Sequence, residues 1–272
     1  MSKSKISSSL SKKRKTIFIK KIGVIFVFIL LLISLFILFL TNDKIRIKNV
    51  SVVGNSSVST EEISNIVEEK LNKRYLWIIP TDNIFLLQRF KISKEILEKI
   101  KKVKTAKISF ENLNEIKITV LERVSESLWC SKQLKDFNDC YFMDISGFVF
   151  AKAPYFTNNI FLKYYGLILE DDPIGKDYFN PDKFEKIKIF ISEIRKMGFE
   201  PESFFAIDGH QYEVTLSGGA KIMFDDEEDF SKNLLKLSTL IENNYIKTEI
   251  EEITKINHID LRYGNKVHFD FK

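Results

Sequence analysis

From Ile22 to Asn42 the chain carries no charge, and from Met1 to Lys21 it carries no acid. Histidine, arginine and cysteine are scarce as well: three, seven and two in 272 residues. So few arginines leave no clustered guanidinium clamp for phosphates. Two cysteines with nine residues between them make a poor half-site for a metal. Ten glycines and five prolines exclude a collagen-like or low-complexity chain. With 44% hydrophobic and 29% charged residues, the composition suits one or two domains with ample core.

The formal charge of +5 is a misleading average. Lys3, Lys5, Lys12, Lys13, Arg14, Lys15, Lys20 and Lys21 precede the neutral run, and the 230 residues after it hold 34 basic and 37 acidic groups. The body is therefore mildly acidic, and no basic folded face for nucleic acid is expected. Ile22–Leu40 reads IGVIFVFILLLISLFILFL. As a helix it would extend about 28 Å, enough for a hydrocarbon core. A signal peptide would have a shorter apolar region and a small-x-small cleavage site, whereas this run ends in Phe39-Leu40-Thr41-Asn42-Asp43. The expected layout is a cytoplasmic tail over residues 1–21, a membrane span over 22–41 and an exported body, with orientation set by the positive-inside bias.

Two modules are expected beyond the span, over 45–122 and 123–272. In the first, Ile45–Val53 has strand composition and ends at Gly54-Asn55. Ser59-Thr-Glu-Glu62 offers a capping box for a helix carrying Ile63, Ile66, Val67 and Leu71 on one face. Leu76–Pro80 is apolar, and Asn83–Leu87 is either a strand or a buried loop. A second helix is expected from Ser93, with Ile92 and Leu97 as a staple and Ile96, Ile100 and Val103 continuing the stripe. Two alternating strands follow around the turn Glu111–Asn114, through Ala106, Ile108 and Phe110, then Ile116, Ile118 and Val120. The order is β-α-(β)-α-β-β, and the fold class is α+β.

The second module reads as a mostly antiparallel sheet with two helices. Cys140–Met143 and Phe148–Phe150 flank Asp144-Ile-Ser-Gly147. Tyr212, Val214 and Leu216 alternate before Ser217-Gly-Gly219 and Lys221–Phe224. One helix begins at Asn180-Pro181 and stops at Gly198, with Phe184, Ile187, Ile191 and Ile194 inside. The other follows Asp225–Asp229 and carries Phe230, Leu234, Leu237 and Ile241. Near the end, Ile259, Leu261 and Tyr263 alternate, then Gly264-Asn265 and Val267, Phe269 and Phe271. Glycine first in a two-residue loop favours a type II′ hairpin.

Little in the sequence points to catalysis. His258 and His268 fall on the polar face of the terminal hairpin, His210 stands alone, and no nucleophile elbow or zinc spacing occurs. The acids of Asp225–Asp229 suit a helix start better than a calcium loop. Gly218-Gly219 is a turn, since no phosphate-loop lysine follows. No cofactor is expected. Cys130 and Cys140 lie in the exported part on strands that could face each other, so a disulfide is expected there, with free buried thiols as the alternative.

Four stretches in this order resemble the bacterial cell-division family of FtsQ and DivIB. Ile47–Asn55 (IKNVSVVGN) with Ser59–Glu62 is similar to the opening of a POTRA domain, and Ile116–Arg123 (IKITVLER) to the strand and Glu-Arg junction that closes it. Tyr141–Phe150 (YFMDISGFVF) resembles the hairpin that opens the family's β domain, and Ile259–Phe269 (IDLRYGNKVHF) its terminal hairpin. The resemblance implies a non-enzymatic scaffold at the division site. It would join FtsB/DivIC-like and FtsL-like single-pass partners, help regulate septal wall synthesis, and contact other division proteins through the POTRA domain. It places partner binding at Arg262, Tyr263, Gly264, Val267 and Phe269. The residues themselves permit this, since a terminal strand can offer an edge for β-augmentation, with Lys266, His268 and Asp270 guarding against self-pairing. Tyr263, Val267 and Phe269 as plain core is the other reading. A POTRA-bearing component of secretion or envelope assembly is the alternative function. A membrane-anchored wall enzyme lacks a recognisable catalytic constellation.

Overall fold

The computed structural model describes residues 4–75, 79–131, 139–156, 160–170, 172–227 and 229–272. Part of the apolar stretch Leu76–Pro80, most of the loop Ser131–Asp139 and Glu228 of the acidic run lie outside the described residues. The chain forms two compact units, the first ending at Glu122 and the second beginning at Arg123.

The first unit opens with helix α1 (Ser4–Leu40), whose segment Phe18–Leu40 is long and apolar enough to cross a membrane. Asp43–Ile45 makes a single 3₁₀ turn. The elements β1 (Asn49–Val53), α2 (Thr60–Leu71), β2 (Arg74–Tyr75), β3 (Ile79–Pro80), α3 (Arg89–Lys99), β4 (Val103–Asn112) and β5 (Glu115–Glu122) follow. β1 pairs in parallel with β5, and β5 pairs with β4 in an antiparallel hairpin. α2 begins as its sequence dictates: Ser59 is the N-cap, its hydroxyl accepting from the Glu62 N–H at 3.1 Å. Ile63, Ile66, Val67 and Leu71 are all buried, together with Ile92 and Ile96 of α3 and Ile116, Ile118 and Val120 of β5. Gly54 is the turn residue that admits no side chain, because at φ +86° a Cβ would stand 2.2 Å from the Val120 carbonyl oxygen.

Two sequence expectations are corrected in this unit. The strand starts at Asn49, not Ile45. Ile45 and Ile47 are buried, but their main chain bonds to Ile84 and Asp82 outside the β1 ladder. α3 starts at Arg89, not Ser93. Ser93 spends its hydroxyl on the Ala106 carbonyl, so it ties the helix to β4 and does not cap it.

The second unit contains β6 (Ser127–Cys130), β7 (Cys140–Met143), β8 (Val149–Lys152), β9 (Lys163–Tyr165), α4 (Pro181–Lys196), β10 (Pro201–Ala206), β11 (Gln211–Leu216), β12 (Lys221–Asp225), α5 (Phe230–Glu242), α6 (Ile250–Ile253), β13 (Ile256–Tyr263) and β14 (Lys266–Phe271). Its strands make one nine-stranded sheet in the order β14-β13-β12-β11-β10-β9-β6-β7-β8. Most neighbours are antiparallel, but β12/β13, β10/β9 and β6/β9 are parallel. α4 and α5 supply Phe184, Ile187, Phe190, Ile194, Phe230 and Leu237 to a core shared with Tyr164, Phe204, Tyr212, Phe224, Ile259 and Leu261 of the strands. A smaller cluster holds Leu128, Cys130 and Ala153, with Phe142, Phe156, Phe161 and Tyr165 packed on it. The stripe expected on α5 is rotated: Phe230, Asn233, Leu237 and Leu240 are buried, while Leu234 and Ile241 are only partly covered. Asn233 is buried at no loss because its amide donates to the Asp225 carbonyl at 3.0 Å.

Adjacent residues fasten the end of one unit and the start of the other. Desolvation pushes the Glu122 carboxyl up, but the Ser57 hydroxyl and the N–H groups of Ser56, Ser57 and Val58 donate to it and hold it down at about 2. Arg123 pairs with buried Asp144 and lies 3.9 Å from the centre of the Phe148 ring.

Candidate functional site: the terminal sheet edge

β14 is the last strand of the nine, and its only ladder among the described residues is with β13. The hairpin turns at Gly264-Asn265, where Gly264 has φ +52° and a Cβ would meet nothing within 4 Å. Conformation, not space, therefore selects glycine here. The Lys272 N–H turns inward to the Lys255 carbonyl at 2.7 Å, and the Phe271 N–H is met by the Asp270 carboxylate at 3.0 Å. By the two-residue alternation of a strand, the main-chain groups of Val267, Phe269 and Phe271 point away from β13, toward the open side.

Side chains divide across the two faces of the hairpin. Val267 and Phe269 lie on the helix side, partly buried against the main core. They line a groove of about 470 Å³ with Leu235, Lys236, Thr239 and Leu240 of α5 and Tyr245 beyond it. Leu235 is 67% exposed and Tyr245 61%, so the groove has apolar walls open to solvent. Lys236 holds α5 to the sheet by donating to the Leu261 carbonyl at 2.8 Å. Tyr263 is 55% exposed, its ring 4.9 Å from that of exposed His268. Arg262 is committed inside the sheet. Its guanidinium donates to both oxygens of Asp260, at 2.8 and 2.6 Å, and to Gln211 Oε1 at 3.0 Å. Burial alone would raise the Asp260 carboxyl, but Arg262 holds it below the ordinary range.

The five expected partner residues thus share one hairpin without sharing one surface. Val267 and Phe269 face the groove, Tyr263 stands with His268, Gly264 makes the turn, and Arg262 braces the strand. Leu235 and Tyr245 escaped sequence reasoning. The available signal at Leu235 was an apolar residue beside the buried stripe of an amphipathic helix.

Cys130 and Cys140 sit opposite each other on β6 and β7 and are joined as a disulfide. His210 is exposed, with Nδ1 2.9 Å from Asp226 Oδ1. Asp226 also takes Lys183 Nζ at 2.7 Å and the Tyr212 hydroxyl at 3.1 Å. Despite its desolvation, this company keeps the Asp226 carboxyl below its usual value. Asp229 caps α5 by accepting from the Ser231 N–H at 3.2 Å. Among the described residues no group of three or more His, Cys, Asp or Glu could hold a metal ion. The sequence matches no protein-family model and no curated protein.

Proposed function

We propose that this chain is a single-pass membrane scaffold of the FtsQ/DivIB type, acting at the division site without catalysis of its own. Its basic tail stays in the cytoplasm, and both units stand on the outer side of the membrane. The first unit plays the part of a POTRA domain, in keeping with its β-α-β-β-α-β-β order and the parallel β1/β5 pair. The observation that carries the reading is the open β14 edge beside an apolar groove, at the hairpin where the resemblance puts partner binding.

In this reading a strand of an FtsB/DivIC-like partner pairs with β14. The outward main-chain groups of Val267 and Phe269 give affinity, and alternate partner side chains enter the groove beside Leu235 and Tyr245. Arg262 positions β13 through Asp260, and Tyr263 and His268 meet the partner from the other face. An FtsL-like protein joins as the second single-pass partner, and the assembly regulates septal wall synthesis.

The test is binding of the full chain, in nanodiscs, to the extracytoplasmic segment of an FtsB/DivIC-like protein, with Val267→Pro as the variant. Affinity that survives the substitution in a folded protein rejects the edge. A fluorescent fusion supplies the cellular arm: midcell enrichment is expected, and a uniform membrane signal through division rejects the divisome role.

A further inference from the structure

The last four carbonyls of a helix have no partner within it. In α1 all four are met. The Thr41 N–H donates to Ile37 at 3.0 Å, the Thr41 hydroxyl to Ile37 and Leu38 at 3.1 Å, and the Asn42 N–H to Phe39 at 3.2 Å. The fourth donor comes from 43 residues further on: Asn83 Nδ2 donates to the Leu40 carbonyl at 2.7 Å. Asn83 is fully buried, and Leu40 is 4% exposed although most of the helix before it is bare.

The same amide has a second task. Asn83 Oδ1 accepts from the Phe85 N–H at 2.8 Å, an Asx turn that bends the chain sharply after the capping residue. The turn sets the Phe85 ring 6.1 Å from that of Phe39, in the last turn of α1. Phe85 is nevertheless 64% exposed and Phe39 51%. The segment between is fixed as well. Arg46 is bonded to both oxygens of Asp82, and Asn114 Nδ2 donates to the carbonyls of Lys44 and Arg46 at 3.1 and 2.9 Å.

We infer that the 83–87 loop is a membrane-interface contact, with the Phe85 ring lying among the lipids beside Phe39 and Asn83 locking the first unit to the end of the span. The inference rests on the membrane-span reading of α1. The occupant follows from continuity: the 23 residues Phe18–Leu40 extend about 34 Å, slightly more than the hydrocarbon core, which puts Phe39 at the boundary. A ring packed on Phe39 shares that depth. An exposed apolar side chain contiguous with a span is suited to lipid and ill suited to water. The first unit is then a body seated on the bilayer, not one hung from a flexible tether.

The experiment attaches an environment-sensitive fluorophore to single introduced thiols in the full chain, reconstituted in phosphatidylcholine vesicles. Cys130 and Cys140 are joined, so the introduced thiol is the one labelled under non-reducing conditions. Phe85→Cys reports the interface and Phe28→Cys the middle of the span. Glu61→Cys, exposed in the first turn of α2, which the chain reaches after β1 has run away from the end of the span, is the control. A nitroxide near the lipid headgroup should remove most of the emission at position 85 and little at 61. Equal quenching at 85 and 61 overturns the inference. A nitroxide deep in the chains should quench position 28, and failure there sinks the span itself, so the two failures are distinct. Asn83→Asp, added to Phe85→Cys, keeps the acceptor for the Phe85 N–H but loses the donor to Leu40. Emission at 85 should then recover toward that at 61, and unchanged quenching overturns the lock.

Discussion

The nine-stranded sheet has two edges, and its own chain treats them differently. At β8 the outer groups of Val149 are both taken: its N–H by the Lys176 carbonyl at 2.9 Å, and its carbonyl by the Gly175 N–H at 2.7 Å. Phe148 bridges to Asp177 beside them. The neighbouring pair β6/β7 is stapled by Cys130–Cys140, and the β7–β8 turn is pinned by Asp144. At β14 no strap covers the outer side among the described residues, and the flanking groove is apolar. At Val149 one edge is closed by intramolecular bonds, whereas the outward groups of Val267 and Phe269 at the other meet no strand among the described residues. An exposed strand edge is costly to keep, and in the proposed function the β14 edge is the one that a partner strand would cover.

Prolines should separate the two edges. Val149→Pro removes the donor to Lys176 and forces a ring into a site with no exposed surface, so unfolding should come about 3 kcal/mol easier in a denaturant titration. Replacing Cys130 and Cys140 together by serine loosens the same end. A loop of this length should cost about 2–3 kcal/mol in the same titration. Val267→Pro should lower partner affinity about tenfold, the worth of one lost strand hydrogen bond, as read by calorimetry. Its stability should change by less than about 1 kcal/mol. If both prolines destabilise the fold equally, the open edge is open only in appearance.

Smaller effects sharpen the contrast. Leu235→Ser should weaken the partner complex by a few-fold and leave the melting temperature unchanged, because Leu235 is mostly exposed. Acid should act on the closed side. Desolvation raises the Asp144 carboxyl, but Ser146 and Arg123 with the N–H groups of Ser146 and Phe148 hold it below the ordinary aspartate value. Its folded value being the lower one, the stabilisation is complete above the unfolded pKa of about 3.9 and is lost as pH falls through the folded value. Amide exchange of Met143–Val149 should quicken over that acid window.

Much of the fold was legible because local chemistry coincides with the final contacts. Ser59 and Asn180-Pro181 cap the helices they announce, and Gly264-Asn265 turns the hairpin it suggests. The centre of the sheet was hidden. β9 is three residues long and parallel to both neighbours, so no hairpin turn betrays it, and it lies between Phe150 and Asn180, where the sequence reading places no element. That stretch also supplies the strap over β8. Pro201–Ala206 was missed for a related reason, since its parallel partner could not be seen. At the candidate site, alternation put Val267 and Phe269 on one face. It could not reveal that Arg262 would be spent on Asp260 and Gln211, nor that Leu235 would flank the hairpin from α5, because both depend on long-range packing.

The parallel pairing of β1 with β5 also sets an order of events. Asn49 meets Glu115 and Val53 meets Thr119, so the strand nearest the span waits for residues some 66 positions later. The Lys48 and Asn49 N–H groups are likewise reserved for the Asn114 carbonyl. Closing so long a loop comes before its contacts can repay it, which makes such pairings slow. During synthesis β1 would emerge early and stand unpaired until β5 followed. The first unit is therefore expected to mature in one late step, as its final strand slides between β1 and β4.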